Sequence, residues 1–456
     1  VLFSLVCISC AHSSFEQKQL KHALDFATSN RLELEILLQH YTYDSLKLEA
    51  AKFLIRNMPH CYSYQQGGEM DSVKRVRTYY SPFGQIDQTY ARRWGHYTYR
   101  NLPKIYDAHI ITAEYLIDNI DRAFDNWQKR PWNRSLSFED FCEYLLPYRI
   151  GDEPLEEWRE LYEKKYGYLL DSIYKGSDVV EAANLVSRHL QEPVFIYCED
   201  FELPHIGPRY LFSHRYGSCV DAADIVTYAF RAVGIPCMED TDARGGHVWN
   251  VVRDTTGRDV PIWYIASEAV RGSRDTGGYK RGKVYRPMYG FQEEKAAHLG
   301  DDWKSMPLLF YHPYMKDVSY AYYPDTLRIL TGIPDDEVCY LAHFHEAHWW
   351  SCACARSASG KMEIPNLESE LVYLPMKYTK GNYYPSGFPF WFAGGEINTF
   401  LPDWEKTVKV RLYRKYPVYG WLRSFMGHVV GGTFEGSMTK DFEDGKRLYE
   451  IADTPV

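Results

Sequence analysis

The stretch from Gly217 to Val252, GSCVDAADIVTYAFRAVGIPCMEDTDARGGHVWNVV, decides how the chain is read. Ser218 and Asp221 stand three apart, just ahead of the apolar stripe Val220, Ala223, Val226, Phe230 and Val233, which is a capping box opening an amphipathic helix. Ser218 is then the N-cap and Cys219 the first helical residue. There an unshared backbone N–H and the positive helix end both favour a thiolate. The same N–H can hold an oxyanion developing on an attacked carbonyl. After the helix, GGHVWNVV alternates as a strand does, so His247, Trp249 and Val251 share one face, with the indole shielding the imidazole. A thiol on a helix and an imidazole on a strand of one domain are the nucleophile and base of a cysteine enzyme.

A third residue follows from the hairpin. DTTG at 254–257 is turn chemistry and RDVPIWYIASE the returning strand. If Asp254 lies opposite Asp259, Ala266 faces His247, and Glu268 sits one diagonal step away on the same face, within reach to orient the imidazole. A slip of one residue would turn that face over.

The quoted residues resemble the transglutaminase-like core, a papain-like cysteine superfamily. Its pattern of Gly-x-Cys-x-Asp, a helix ending Gly-Ile-Pro, and His-x-Trp is met by Gly217, Cys219, Asp221, Gly234-Ile235-Pro236, His247 and Trp249. The family places an Asp about where Ala266 stands, and this is the departure. RNMPHCYSY at 56–64 and FCEYLLPYRIGDEPLEEW at 141–158 are similar to phrases in large surface lipoproteins of Bacteroides-type bacteria that carry this core. The resemblance implies attack on a carboxamide or ester through a Cys219 thioester, by hydrolysis or acyl transfer on peptides or glycopeptides, without a cofactor. The family also has inactive members. The alternative is therefore a non-catalytic glycan- or protein-binding lipoprotein that keeps the core as a scaffold.

Upstream, residues 15–60 read as a helical hairpin, with breaks near Asn30 and Asp44. Residues 107–130 and 136–170 add helices, the latter interrupted at Pro147. Residues 271–303 are rich in Gly, Arg and Lys, lack periodicity and read as a boundary. Beyond them VCYLAHF (338–344), SCACARS (351–357), ELVYLPMKY (370–378), FPFWFAGG (388–395) and VKVRLYRKY (408–416) alternate as strands do, the signature of a β-sandwich. The expected class is α+β. It comprises a signal and tether over 1–14, a helical region over 15–200 packing on the core, a transglutaminase-like core over 201–290, a β-sandwich over 304–406, and a β segment over 407–456 that breaks off.

The opening VLFSLVCISC resembles the end of a bacterial lipoprotein signal with Cys10 as the lipidated residue. This implies attachment to the outer membrane or cell surface through a lipid alone. With 52 basic and 61 acidic residues and no block of like charge, nothing points to nucleic acid. In HFHEAHWWSCAC at 343–354, His345 and His348 are one residue too close for the His-Glu-x-x-His zinc motif. A hairpin turning at EAHWW, with Cys352 and Cys354 on one face, explains the segment without a metal.

Overall fold

The computed structural model describes residues 2–80, 99–197, 203–244, 246–265, 267–273, 280–292, 306–330, 334–345, 348–403, 405–406, 431–439 and 444–450. The fold is α+β, and the chain divides into two compact units. One comprises Val1–Tyr279, Val284–Gly300 and Tyr311–Tyr322; the other comprises Lys280–Lys283, Asp301–Phe310 and Tyr323–Val456. The expected helical region falls within the first, as does the expected core apart from Lys280–Lys283.

That unit begins with three helices, α1 (Leu2–Phe26), α2 (Arg31–His40) and α3 (Ser45–Asn57), where the sequence suggested a hairpin. Both anticipated breaks are present. Asp44 caps α3 by accepting from the Lys47 N–H at 3.1 Å. Asn30 precedes α2, but its amide instead donates to the carbonyls of Ala108 and Ile111, at 3.1 and 2.8 Å, tying the helix start to a distant loop. α1 runs without a break through position 10, and the side chain of Cys10 lies outside the described residues. No helix among the described residues is long and apolar enough to cross a membrane.

A short strand β1 (Tyr62–Tyr64) pairs antiparallel with β2 (Lys104–Tyr106), and α4 (Gly68–Tyr80) leaves from β1. α5 (Ala113–Lys129), capped by Thr112, turns Leu116, Ile120 and Phe124 into a core shared with Leu34, Leu54 and Ile55. Each such side chain contributes about 1.5–3 kcal/mol on leaving water. α6 (Phe138–Tyr144) and α7 (Arg159–Tyr168) are separated by far more than a kink at Pro147. Between them the buried Glu153 carboxylate accepts from the N–H groups of Ile150 and Gly151, and Arg149 is held by Asp107, so the backbone is committed to these bonds rather than to a helix.

α8 (Val179–Leu190), β3 (Ile196–Tyr197), α9 (Pro208–Ser213) and β4 (Tyr216–Gly217), which lies parallel to β3, lead into α10 (Cys219–Ala232). This helix matches its sequence reading closely. It packs on an antiparallel sheet in the order β7-β6-β5-β8-β9, made of β5 (Cys237–Asp242), β6 (Val248–Arg253), β7 (Asp259–Ile262), β8 (Val284–Pro287) and β9 (Met315–Asp317).

The register of the β6–β7 hairpin differs from the expected one. Arg253, not Asp254, faces Asp259, and β7 ends at Ile262. The cause is Asp254, whose carboxylate accepts from the N–H groups of Thr256 and Arg258 at 2.8 and 3.0 Å and draws that residue into the turn. Past Ile262 the chain leaves the ladder in a tight turn closed by Trp263 and Ser267. The pairing that placed Ala266 and Glu268 opposite His247 therefore fails.

The second unit holds a six-stranded antiparallel sheet of β11 (Val338–His345), β12 (His348–Arg356), β14 (Leu371–Thr379), β15 (Asn382–Pro385), β16 (Phe390–Ala393) and β17 (Glu396–Thr399). Separately, β10 (Asp325–Leu330) pairs with β13 (Lys361–Leu367). Four of the five expected strands are present; VKVRLYRKY lies outside the described residues. Near the end of the chain, β18 (Thr433–Gly436) and β19 (Lys446–Glu450) form a hairpin.

The β11–β12 turn is tighter than EAHWW, since His348, Trp349 and Trp350 already belong to β12 and His345 pairs with His348. A bulge lies where Leu341 faces Ala353 and Ala342 faces Ser351. It leaves Cys352 as the extra residue, fully buried, while Cys354 is half-buried. Among the described residues no group of three His, Cys, Asp or Glu side chains converges as a metal site.

Candidate thiol site

Ser218 and Asp221 form the expected capping box. The Ser218 N–H donates to Asp221 Oδ2 at 2.8 Å and its hydroxyl to the same oxygen at 3.1 Å. That carboxylate also holds Arg77 of α4 at 2.7 Å, with both side chains almost wholly buried. Arg77 was not foreseen, because no local pattern links it to a helix start so far along the chain. Gly217 has its own geometric reason: a Cβ there would lie 2.2 Å from Asp221 Oδ2. Gly217→Ala is therefore expected to displace Asp221, weaken the cap and the Arg77 pair, and lower stability by about 1–2 kcal/mol, measured by urea denaturation.

Cys219 is buried, with 6% of its surface exposed, at the first position of α10. The direction of β6 along this helix is fixed by Asn250. Its amide donates to the Ala223 carbonyl at 3.0 Å and to Thr227 Oγ1 at 2.9 Å. Further along, Val252 pairs with Cys237, whose carbonyl accepts from Arg231 in the last turn of α10. Strand and helix thus run the same way, and His247, just before β6, stands at the end of the sheet that lies toward the N-terminus of α10 and Cys219.

The imidazole of His247 is buried between two indoles. Trp249 lies 5.6 Å away between ring centroids, and Trp263 lies 4.4 Å away and nearly edge-on. Trp249 was expected beside it; Trp263 was not, because it reaches the ring only after the chain turns out of β7. Trp249 is itself fixed. Its Nε1–H donates to the Tyr322 hydroxyl at 2.9 Å, which donates to Asp240 at 2.7 Å, and Asp240 is clasped bidentately by Arg286 at 2.6 and 2.9 Å. The backbone is pinned where the His247 carbonyl accepts from Thr241 Oγ1 at 3.0 Å.

Glu268 is elsewhere. It is half-exposed and pairs with Arg188 of α8 at 2.6 Å, an ordinary surface ion pair. Ala266 lies outside the described residues.

A second polar group, which the sequence reading missed, lies along α10. Glu239 of β5 accepts from Thr227 Oγ1 at 2.7 Å, and burial pushes its carboxyl up to about 8. One turn earlier, Asp224 meets His205 Nδ1 at 2.9 and 3.0 Å, and burial raises it to about 6. The only sequence signal was polar residues placed on a helix that is buried on every side.

No family model, curated protein or solved structure matches this chain.

Proposed function

We propose that the chain is a transglutaminase-like thiol enzyme, with Cys219 as nucleophile and His247 as its base, acting on carboxamide or ester groups of peptides or glycopeptides. The observation that supports this most strongly is the parallel run of β6 and α10, bridged by Asn250, which brings the ends bearing Cys219 and His247 to one side of the layer. In the reaction the Cys219 sulfur attacks the carbonyl carbon as His247 takes the thiol proton. The tetrahedral oxyanion draws on the Cys219 N–H, and collapse expels the amine or alcohol with the proton from His247. Water or an acceptor amine then resolves the thioester. With Glu268 engaged by Arg188, the orientation of the imidazole is assigned to the Trp249 and Trp263 indoles. The reading extends to the second unit as a β-sandwich that helps bind substrate and to Cys10 as a lipid anchor at the cell envelope.

Alkylation by iodoacetamide, followed at Cys219 by peptide mapping across pH, tests the thiol reading. Cys219 is expected to titrate well below the free-thiol value of about 8.5. His247→Ala should slow its labelling at pH 6 at least tenfold, while Glu268→Gln should leave it unchanged. The 6% exposure of Cys219 favours a second reading, a non-catalytic binding lipoprotein. Ordinary titration of Cys219, indifferent to His247→Ala, would establish that reading and end the first.

A further inference from the structure

In the second unit the six-stranded sheet buries one face and leaves part of the other in water. His343, Tyr373, Phe390 and Phe392 lie on the buried side. Their neighbours along each strand point the other way, because side chains alternate. On that other face Trp349 of β12 pairs with Phe344 of β11, and Trp391 of β16 pairs with Val372 of β14 on one side and Asn398 of β17 on the other. Phe344 and Val372 both adjoin the His343–Tyr373 pair, so the five residues form a single row across the sheet.

Further along β11 this face is closed, since Tyr340 lies 5.5 Å from Phe310 and 5.6 Å from Tyr383 between ring centroids. At the row it is open. Phe344 is 51% exposed and Trp391 36%, while Trp349, 5.2 Å from Phe344 between ring centroids, is half-buried. The solvated face of an antiparallel sheet is ordinarily polar, and contiguous aromatic side chains there mark an interaction surface.

Charge, area and spacing together define the occupant. The row carries no charge, and Glu396, opposite Ala393 on the same face, is an acid, so the surface offers nothing to an anion. The exposed parts of the rings amount to roughly 300 Å², against ~800 Å² per partner in a stable protein interface. That is too little for a second copy of the chain. Strand spacing sets Phe344 and Trp391 about 10 Å apart with the smaller Val372 between them, and the row runs about 19 Å from Trp349 to Asn398. It is a shallow, straight track several sugar rings long. A pyranose has a face of C–H groups that packs on an aromatic ring and a rim of hydroxyls that must stay hydrogen-bonded. The Trp391 indole N–H and the Asn398 amide, which have no hydrogen-bond partner among the described residues, can serve that rim.

We infer that this row is a binding platform for an extended, uncharged polysaccharide chain, with sugar faces on Phe344 and Trp391 and hydroxyls met by Asn398 and the indole N–H. The inference gives a surface and a ligand to the substrate-binding role proposed for this unit, on which it rests, and it does not depend on the Cys219 chemistry.

Calorimetric titration of the full chain with chitohexaose, cellohexaose and mannohexaose, each uncharged and extended, tests it. At least one should saturate, and added salt should not weaken it. Trp391→Ala and Phe344→Ala should each lower the affinity at least tenfold with the melting temperature unchanged, whereas Trp391→Phe should keep most of it. Cys219→Ala should bind as the parent does. Binding that survives both alanine substitutions would overturn the platform while leaving a glycan-binding chain, and no saturation by any of the three would overturn the role as well. Self-association of the parent at sedimentation equilibrium, abolished by Trp391→Ala, would assign the row to a second copy and overturn the inference.

Discussion

Arg286→Met is expected to lower the stability of the first unit by about 3–5 kcal/mol, the cost of removing one partner from a buried ion cluster. Arg286 is 2% exposed and sits between Asp240 and Asp259, at 2.6 and 2.7 Å, and it also donates to the Tyr144 hydroxyl. Burial alone disfavours its charge, yet the two carboxylates more than compensate and hold it protonated. Without it both carboxylates stay buried with far less compensation: Asp240 keeps the Tyr322 hydroxyl, and Asp259 keeps Arg253 at 2.8 Å. The melting temperature should fall on the order of 10 °C. Adding Asp240→Asn should recover part of the loss, because it removes one stranded charge. A fall of less than about 1 kcal/mol would show that the cluster is not what holds the sheet. Since Asp240 also anchors Tyr322 and through it Trp249, the near-ultraviolet signal of the indoles should change in the single variant before global unfolding.

The second large effect concerns Glu239→Gln and its dependence on pH. Burial raises the native carboxyl of Glu239 to about 8, whereas in an unfolded chain it titrates near 4.3. Below the unfolded value both states are protonated and the group costs nothing. As pH rises between the two values the unfolded state loses its proton while the native state keeps it, so stability declines until pH passes about 8. Glutamine accepts the same hydrogen bond from Thr227 without ever ionising. The variant should therefore match the parent near pH 4 and exceed it at pH 9 by on the order of 3 kcal/mol, measured by urea denaturation across pH. A gain that does not depend on pH would locate the effect in packing instead.

Local reasoning reached α10 almost residue for residue. The capping box, the apolar stripe and Gly234-Ile235-Pro236 all act within a few positions of one another, and such short-range chemistry can be read directly from neighbouring letters. The cap at Asp44 belongs to the same class, as does the period-two pattern behind β11, β12, β14 and β16. Glu268 shows where this ends. Its assignment depended on a register, and the register depended on whether Asp254 pairs across the hairpin or bends into the turn, a choice of one residue that reverses every side chain beyond it.

The sequence by itself determined that a thiol would open a capped helix and that an imidazole would stand at the start of a following strand, because each rests on contacts within its own segment. Tertiary structure alone decided what surrounds them. Arg77 arrives at Asp221 from α4, Trp263 reaches His247 after leaving its strand, and Tyr322 carries Trp249 to Asp240 and Arg286. These partners lie far apart along the chain, and no pattern of spacing predicts which buried charge will find which counter-charge. That pairing is fixed by the desolvation cost of leaving any of them alone, which is settled only when the whole unit closes.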